Sequence, residues 1–544
     1  MPEAGSSVTA CLPRPEGTRI LNRHTNGNRS HMSPSHLRAL GHPRRAGRDG
    51  RFTGSARSRR LGRRSKLALA GALAALTLLI AAGPAGAWTS ASEFMITGHG
   101  WGHGIGMSQW GAYGYARHGW TYKAILRHYY TGIAFSQWPN LDMRVRLRSG
   151  LKTVKITCPN AFTAVGTGKA LMIPAGRTAT TTYSGGLYHV VAGDVKKDFS
   201  AAVVTFAPTK GSLRTLTATD LGTTGAFRGV IRVMSSGGAL MMVNKVPLES
   251  YLRGSVPHEV SPSWPAEALK AQACAARAYA LRSRKPSEDW TAWDVYSDVR
   301  SQAYAGVGIE DSRTDAAVRA TAGVTPTYNG SVILAVYSSC SGGHTESIEY
   351  GWPGAAAVPY LKGVDDPYDY YGTLHDWGPL RRTAAQIGGP LGALGSLRAV
   401  YTVKRGTSPR IVKAALIGSG GIKFMDGNEL RMKLGLNSTW AAFKSMSISP
   451  APGDHASISA GGGLTLKGRI YPALAAGATV RLVFSYGGKT YGRNVATTRV
   501  SQNLGSGYTA TYSQYSDGIG PAQTTTYYFS SGNARTPTIT VTVN

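Results

Sequence analysis

Cysteine is rare in this chain, 4 among 544 residues, and that scarcity excludes a disulfide framework as the source of its stability. Cys11 lies ahead of a segment expected to be removed, and the remaining Cys158, Cys274 and Cys340 are odd in number, so at most one pair bridges. Cys274, among alanines, reads as a small buried hydrophobe. Acidic residues are the second shortage: 28 Asp and Glu stand against 60 Lys and Arg, a formal net charge of +32. Part of that excess is local. Residues 1–66 hold 15 Lys and Arg against 3 Asp and Glu, a net +12 that leaves +20 on the remainder. Such a balance suits nucleic acid as a partner, but the next segment points out of the cell and sets nucleic acid aside.

Leu67–Ala87 is an apolar, Ala- and Leu-rich run preceded by Arg63, Arg64 and Lys66 and closed by Ala85-Gly86-Ala87. A charged lead, an apolar core and a small-residue site make a secretory signal, with cleavage predicted before Trp88. A retained membrane anchor is the alternative, since the run is just long enough to span a bilayer. Residues 1–66 are too basic and too poor in apolar residues to fold, and a start of translation near Leu61 would leave them outside the working protein. The expected location is therefore outside the cell or in the wall, where a net charge near +20 favours adhesion to anionic wall polymers.

The most informative stretch begins at Val246 and passes Val256-Pro257-His258-Glu259-Val260 and Trp264-Pro265 into an Ala-rich helix from Ala266 to Leu281. Pro265 suits the first helical turn and Pro286 the stop. Lys270, Cys274, Arg277 and Leu281 recur at helical spacing, which predicts a polar stripe beside the loop of Glu259. Beside Val256, Pro257 and Val260, partial burial raises the Glu259 pKa toward that of a general acid.

These strings, with Ala268–Ala273 and Ala276-Arg277-Ala278-Tyr279, resemble the central signature of the SpoIID/LytB family. That family comprises sporulation stage II protein D and its relatives, peptidoglycan-acting proteins of which some are lytic transglycosylases. Three further blocks agree: Gly98-His99-Gly100-Trp101-Gly102-His103-Gly104 running to Gln109, Ser301–Gly306 with Tyr304, and Tyr337-Ser338-Ser339-Cys340-Ser341-Gly342-Gly343-His344. Together they cover most of residues 98–437.

The resemblance implies that Glu259 is the catalytic acid/base for cleavage between N-acetylmuramic acid and N-acetylglucosamine, with no second carboxylate and no cofactor required. Substrate contacts are expected at His99, Trp101, His103, Gln109 and Tyr304, and Lys270 and Arg277 either bind substrate oxygens or fix the loop, offset from Glu259 because a close cation would lower its pKa. Some family members bind zinc through Cys and His, for which Cys340 and His344 are the matching residues. The implied partners are peptidoglycan glycan strands and a cell-wall amidase. The rival is a non-catalytic wall-binding or amidase-enhancing protein. A hydrolase pairing Glu259 with Asp294, Asp298 or Asp366 is a third reading.

One departure from the family pattern stands out. The glycine block lies near the C-terminal end in the family, after a segment like Leu430–Trp440; here it comes first, as in a circular permutation. Residues 98–112 are then expected to pack beside Glu259. With glycine at every second position the block reads as an extended ribbon, packed on the catalytic helix or lining the groove.

Alternating runs from Leu141 to Val246 predict strands, with 150–225 as a β insertion, and Asn329-Gly330 predicts a hairpin turn. The whole is expected to be α+β. A β-rich SpoIID-like domain with a central Ala-rich helix occupies 88–448, and an all-β immunoglobulin-like sandwich, a spacer or wall-binding module, occupies 449–544.

Overall fold

The computed structural model describes residues 91–285, 293–450 and 456–544. The basic extension 1–66, the apolar run 67–87, Cys11 and Pro286 lie outside the described residues. Strand makes up 46% and helix 18%, so the architecture is α+β with sheet dominant. No helix among the described residues is long and apolar enough to cross a membrane.

Strand Ala91–His99 pairs with Asp376–Thr383 on one side and Ala441–Ile448 on the other. The same sheet continues through Leu464–Tyr471, Tyr508–Ile519 and Thr498–Gly505. A second sheet holds Thr525–Ser531, Thr479–Tyr486 and Lys489–Ala496. The two share one core, in which Met446, Ile448 and Leu466 meet Leu482, Phe529 and Val541. Position 449, where the sequence composition changes, therefore falls inside a continuous sheet.

The strands between Asp142 and Pro247, joined by Val295–Tyr296 at one edge, form a seven-stranded and a six-stranded sheet. Their inner residues, among them Val145, Phe162, Phe206 and Val233, join Leu269, Ala273 and Ala276 of the long helix in one core. Residues 150–225, expected as an insertion, contribute strands to both sheets and are integral to that core. The predicted Asn329-Gly330 turn is present between Val324–Tyr328 and Ser331–Val332, with both residues at positive φ, 47° and 75°, as a two-residue hairpin requires.

The central helix runs from Ala266 to Ser283, with Pro265 at the N-cap, one position earlier than expected. Its faces serve two cores: Leu269, Ala273 and Ala280 pack into the β lobe, while Ala271, Cys274 and Ala278 pack against Ile105, Met107 and Tyr129. A helix enclosed on several sides needs small residues wherever another element approaches closely, which accounts for the alanines. The expected polar stripe is corrected by this packing. Cys274 and Arg277 are wholly buried, and Arg277 holds both Glu249 carboxylate oxygens at 2.8 Å. Cys158, Cys274 and Cys340 are all buried free thiols.

Candidate active site

Glu259 ends a short helical turn, Val256–Glu259, that follows strand Ala239–Pro247 and helix Leu248–Arg253. Val256 and Val260 anchor the turn in the interior at 0% and 3% exposure. Gly254 lets the segment 301–306 run alongside, since a Cβ there would lie 2.7 Å from the Tyr304 ring. That segment then presents the Ala303 N–H to a Glu259 carboxylate oxygen at 3.2 Å.

The Glu259 residue as a whole is half-buried, but its carboxyl lies deep among protein atoms. Burial raises its pKa to about 7, against the opposing hydrogen bonds of Ala303, Gln109 and Tyr337. Those causes include no neighbouring charge. A carboxyl with this pKa is protonated in an appreciable fraction at neutral pH and releases its proton readily, as a general acid must.

The carboxyl opens into a cleft of about 340 Å³ whose walls include Trp101, His103, Gln109, Tyr279, Tyr337 and Trp352. Glu259 is the one carboxylate among these lining residues. Asp294 is held by Arg144 at 2.7 Å, Asp298 by Arg300, and Asp366 accepts from Tyr129 at 2.7 Å. The pairing that a two-carboxylate hydrolase needs is thus absent among the described residues of the cleft.

The cleft continues past Trp101 and Ser339 into a second hollow of about 520 Å³ beside Trp110, Tyr113 and Trp264. Trp110 and Trp264 stand 4.8 Å apart, and Tyr113 meets both Trp264 and Tyr371. An open trough edged by aromatic rings suits the alternating apolar faces and hydroxyl edges of a sugar chain.

The glycine block reaches the cleft by a route the sequence did not suggest. Strand ends at His99, and Gly100, Gly102, Gly104 and Gly106 all adopt positive φ between 70° and 109°. The segment is therefore folded, not extended. Its glycines admit close backbone neighbours: a Cβ on Gly100 would lie 2.7 Å from the Cys340 carbonyl oxygen. Bridges at Trp101–Cys340 and Ile105–Glu346 bind the block's backbone to the 336–346 segment, while Ile105 and Met107 pack against the central helix. His103 accepts the Ile105 N–H on Nδ1 at 2.9 Å. Burial, with Arg431 and Arg410 nearby, holds its pKa down at about 4, so the imidazole is neutral.

Of the remaining expected contacts, Trp101, His103 and Gln109 line the cleft with Glu259. Arg277 is committed to Glu249, and Tyr304, 1% exposed, donates to Asn244 at 2.7 Å; neither has surface left for a ligand. Lys270 pairs with Glu267 at 2.7 Å and His99 with Asp376 at 2.6 Å, both outside the cleft lining. Gln302 and Tyr337 were missed. Tyr251 donates to Gln302 at 3.1 Å, and Gln302 donates to the Tyr337 hydroxyl at 2.8 Å, a buried relay under the carboxyl. Both lie in the sequence blocks already noted, but a glutamine and a tyrosine carry no spacing signal of their own.

The expected metal pair is also redrawn. His344 turns Nδ1 to the Thr345 carbonyl at 2.5 Å, whereas Cys340, Asp369 and His375 bring three ligand atoms within 4.8 Å of one another. Thiol, carboxylate and imidazole are donors of the kind zinc takes. Asp369 is satisfied without an ion, accepting from Cys340, Ser341, Gly342 and His375.

Comparison with known proteins places this geometry. The family model described as Stage II sporulation protein matches residues 236–328, the stretch that carries Glu259 and the central helix. Stage II sporulation protein D of Bacillus subtilis (strain 168) is 33% identical over 211 residues, 36% of this chain and 60% of that protein. The Amidase enhancer of the same organism is 41% identical over 119 residues, 22% of this chain and 15% of that protein. An uncharacterized protein of Brachyspira hyodysenteriae (strain ATCC 49526 / WA1) is 37% identical over 138 residues, 25% of this chain and 37% of that protein. The matched segments thus span less than two thirds of each relative. No solved structure matches. The signature around Glu259, the family match over it and these relatives agree: residues 236–328 match the SpoIID family, and over that stretch the chain is similar to its members.

Proposed function

We propose that this protein is a secreted peptidoglycan lytic transglycosylase with Glu259 as its single acid and base. The supporting observation is one carboxyl, brought to a pKa of about 7 by burial, alone among carboxylates in a trough edged by aromatic rings. Protonated Glu259 gives its proton to the glycosidic oxygen between N-acetylmuramic acid and N-acetylglucosamine as the C1–O bond breaks. The carboxylate left behind takes the proton of the muramyl 6-hydroxyl, whose oxygen closes on C1. The products are a free 4-hydroxyl and a 1,6-anhydro ring, and the carboxyl regains its starting state.

Neutral His103, Gln109 and Trp101 contact the strand in this scheme, and the Tyr251–Gln302–Tyr337 relay holds the carboxyl's surroundings in place. Export through residues 67–87 delivers the protein to the wall, and a mature net charge near +20 favours adhesion to its anionic polymers. If zinc is held, Cys340, Asp369 and His375 hold it. Such an ion would tie the 340–342 loop to 369–375 and take no part in the proton transfer.

The deciding experiment compares the protein with its Glu259→Gln variant on peptide-free glycan strands and reads the new sugar ends by mass spectrometry. Anhydro-ended products from the first and none from the second support the proposal; unchanged release by the variant, or reducing ends, discards it. A second reading, an amidase-stimulating protein, draws on the 41% identity to the relative named Amidase enhancer. It predicts that Glu259→Gln still stimulates a purified wall amidase.

A further inference from the structure

A second row of aromatic rings lies in the C-terminal strands, on a different part of the fold from Glu259. Phe484 stands opposite Tyr491 on one neighbouring strand and Tyr527 on the other, and Tyr486 follows two residues later on the same face. That face begins as core: Leu482 and its partner Phe529 are fully buried. Toward the end of the strand the cover gives way. Tyr486 and Tyr491 are 36% and 39% exposed.

The rings lie nearly parallel. Tyr486 and Tyr491 are 5.0 Å apart at 18°, and Phe484 lies 9° from the plane of Tyr486 and 21° from that of Tyr491. The loop Gly518–Gln523 walls the other side and leaves a cavity of about 290 Å³, the size class of a small-ligand pocket, about 300 Å³ and upward. Its polar rim is Gln523 and Arg493. Arg493 is neutralised by Asp517 at 2.7 Å and also donates to the Gly518 carbonyl at 2.7 Å.

A ledge of stacked rings, with Phe484, Tyr486 and Tyr527 facing a polar, charge-balanced wall across the cavity, matches a pyranose ring, which offers C–H faces to aromatics and hydroxyl or amide edges to hydrogen-bonding groups. A phosphate-rich polymer would need unpaired cations, and the one charged residue lining the cavity is already paired. We propose that this ledge is a non-catalytic glycan-binding site. It takes neutral N-acetylated sugar rings and keeps the protein on its polymer between cleavage events. The ligand class rests on the reading of the Glu259 cleft as a glycan cleaver; the ledge geometry does not.

The test uses the whole secreted chain carrying Glu259→Gln, so that binding is read without cleavage. Probes are purified sacculi stripped of anionic polymers, in a sedimentation assay, and N-acetylglucosamine tetramer, by calorimetry. The double change Tyr486→Ala and Tyr491→Ala, which removes a ring lining the cavity and the ring stacked on it, is expected to weaken retention on sacculi about tenfold. Tyr486→Phe with Tyr491→Phe keeps it. Gln523→Ala, which leaves the rings in place, is expected to weaken binding less than the double alanine change. With Glu259 restored, the double alanine protein cleaves short soluble strands at the unaltered rate.

Retention unchanged by the alanine pair overturns the proposal, as does binding of poly(glycerol phosphate) in place of the sugar tetramer. Loss of cleavage with binding intact bears on the Glu259 reading alone.

Discussion

The Gln109 side-chain amide donates to the main-chain oxygen of Glu259 at 3.2 Å, joining two positions 150 residues apart in the chain. The bond ties the start of helix Gln109–Arg117, capped by Ser108, to the turn that aims the acid. It is also the contact expected if the glycine block occupies its family position despite coming first in the chain. The Gln109 amide is among the hydrogen bonds that lower the Glu259 pKa. Gln109→Ala should therefore raise that pKa and extend activity to higher pH, while a looser turn lowers the rate about tenfold, the scale of one lost hydrogen bond. Initial rates across pH 5–9 check both; a fall in rate with an unmoved profile would assign Gln109 to substrate contact alone.

The proposed acid step also sets an expected dependence on pH. Under the proposed mechanism Glu259 carries its proton at the start, so turnover is expected to fall as pH rises through about 7. Stability moves the same way. A carboxyl whose folded pKa lies above its unfolded value binds more protons when folded, so its contribution is present at low pH and is lost as pH rises from about 4.5 to 7. Glu259→Gln removes the charge that would otherwise be buried. It should stabilise the fold by about 1–2 kcal/mol at pH 8 and by little at pH 4, allowing for partial solvent screening of a half-exposed residue. Thermal unfolding at the two pH values measures it.

How far the sequence disclosed this molecule depended on the kind of signal. The helix from Ala266 and the Asn329-Gly330 hairpin were legible because Pro265 and the Asn-Gly pair act locally. Glu259 stood out through its surrounding motif, since a lone glutamate has no local signature, and its carboxyl lines the cleft. The helix stripe misled because Lys270, Cys274 and Arg277 share spacing but not surroundings: periodicity reports a shared face, while depth is set by elements distant in sequence. The glycine block misleads because alternation is also the pattern of a strand, whereas alternate glycines at positive φ fold the chain. The sheet that crosses position 449 was hidden for a similar reason, since pairing between Ala441–Ile448 and Leu464–Tyr471 leaves no trace in either segment alone.

Arg277 offers a sharp contrast with Lys270. The Arg277 side chain is 0% exposed and its partner Glu249 is 19% exposed, whereas Lys270 and Glu267 are 28% and 31% exposed. Arg277→Met leaves Glu249 without its cation and is expected to cost about 3–5 kcal/mol. Arg277→Met combined with Glu249→Leu should recover much of that loss, because a matched apolar pair has no ion to desolvate. Lys270→Ala should cost less than about 1 kcal/mol. Denaturant titration of the four proteins gives the series; a stable Arg277→Met protein with a raised KM would instead return Arg277 to the substrate.

The glycine block makes a prediction that separates backbone conformation from crowding. Gly119 and Gly106 both hold positive φ, 82° and 70°. A Cβ at Gly119 meets nothing within 4 Å, while one at Gly106 would overlap the Val336 carbonyl oxygen. Gly119→Ala therefore suffers only the left-handed conformation, about 1–2 kcal/mol. Gly106→Ala adds the displacement of the 336–338 backbone, a further 1–3 kcal/mol for an overpacked site. That backbone carries Tyr337, whose hydroxyl helps hold the Glu259 pKa down. Gly106→Ala should thus lose activity beyond its loss of stability and shift its pH profile upward, while Gly119→Ala, refolded and assayed below its melting temperature, keeps the native rate and profile. Equal profiles for the two variants would mean that the glycine block shapes the fold without reaching the acid.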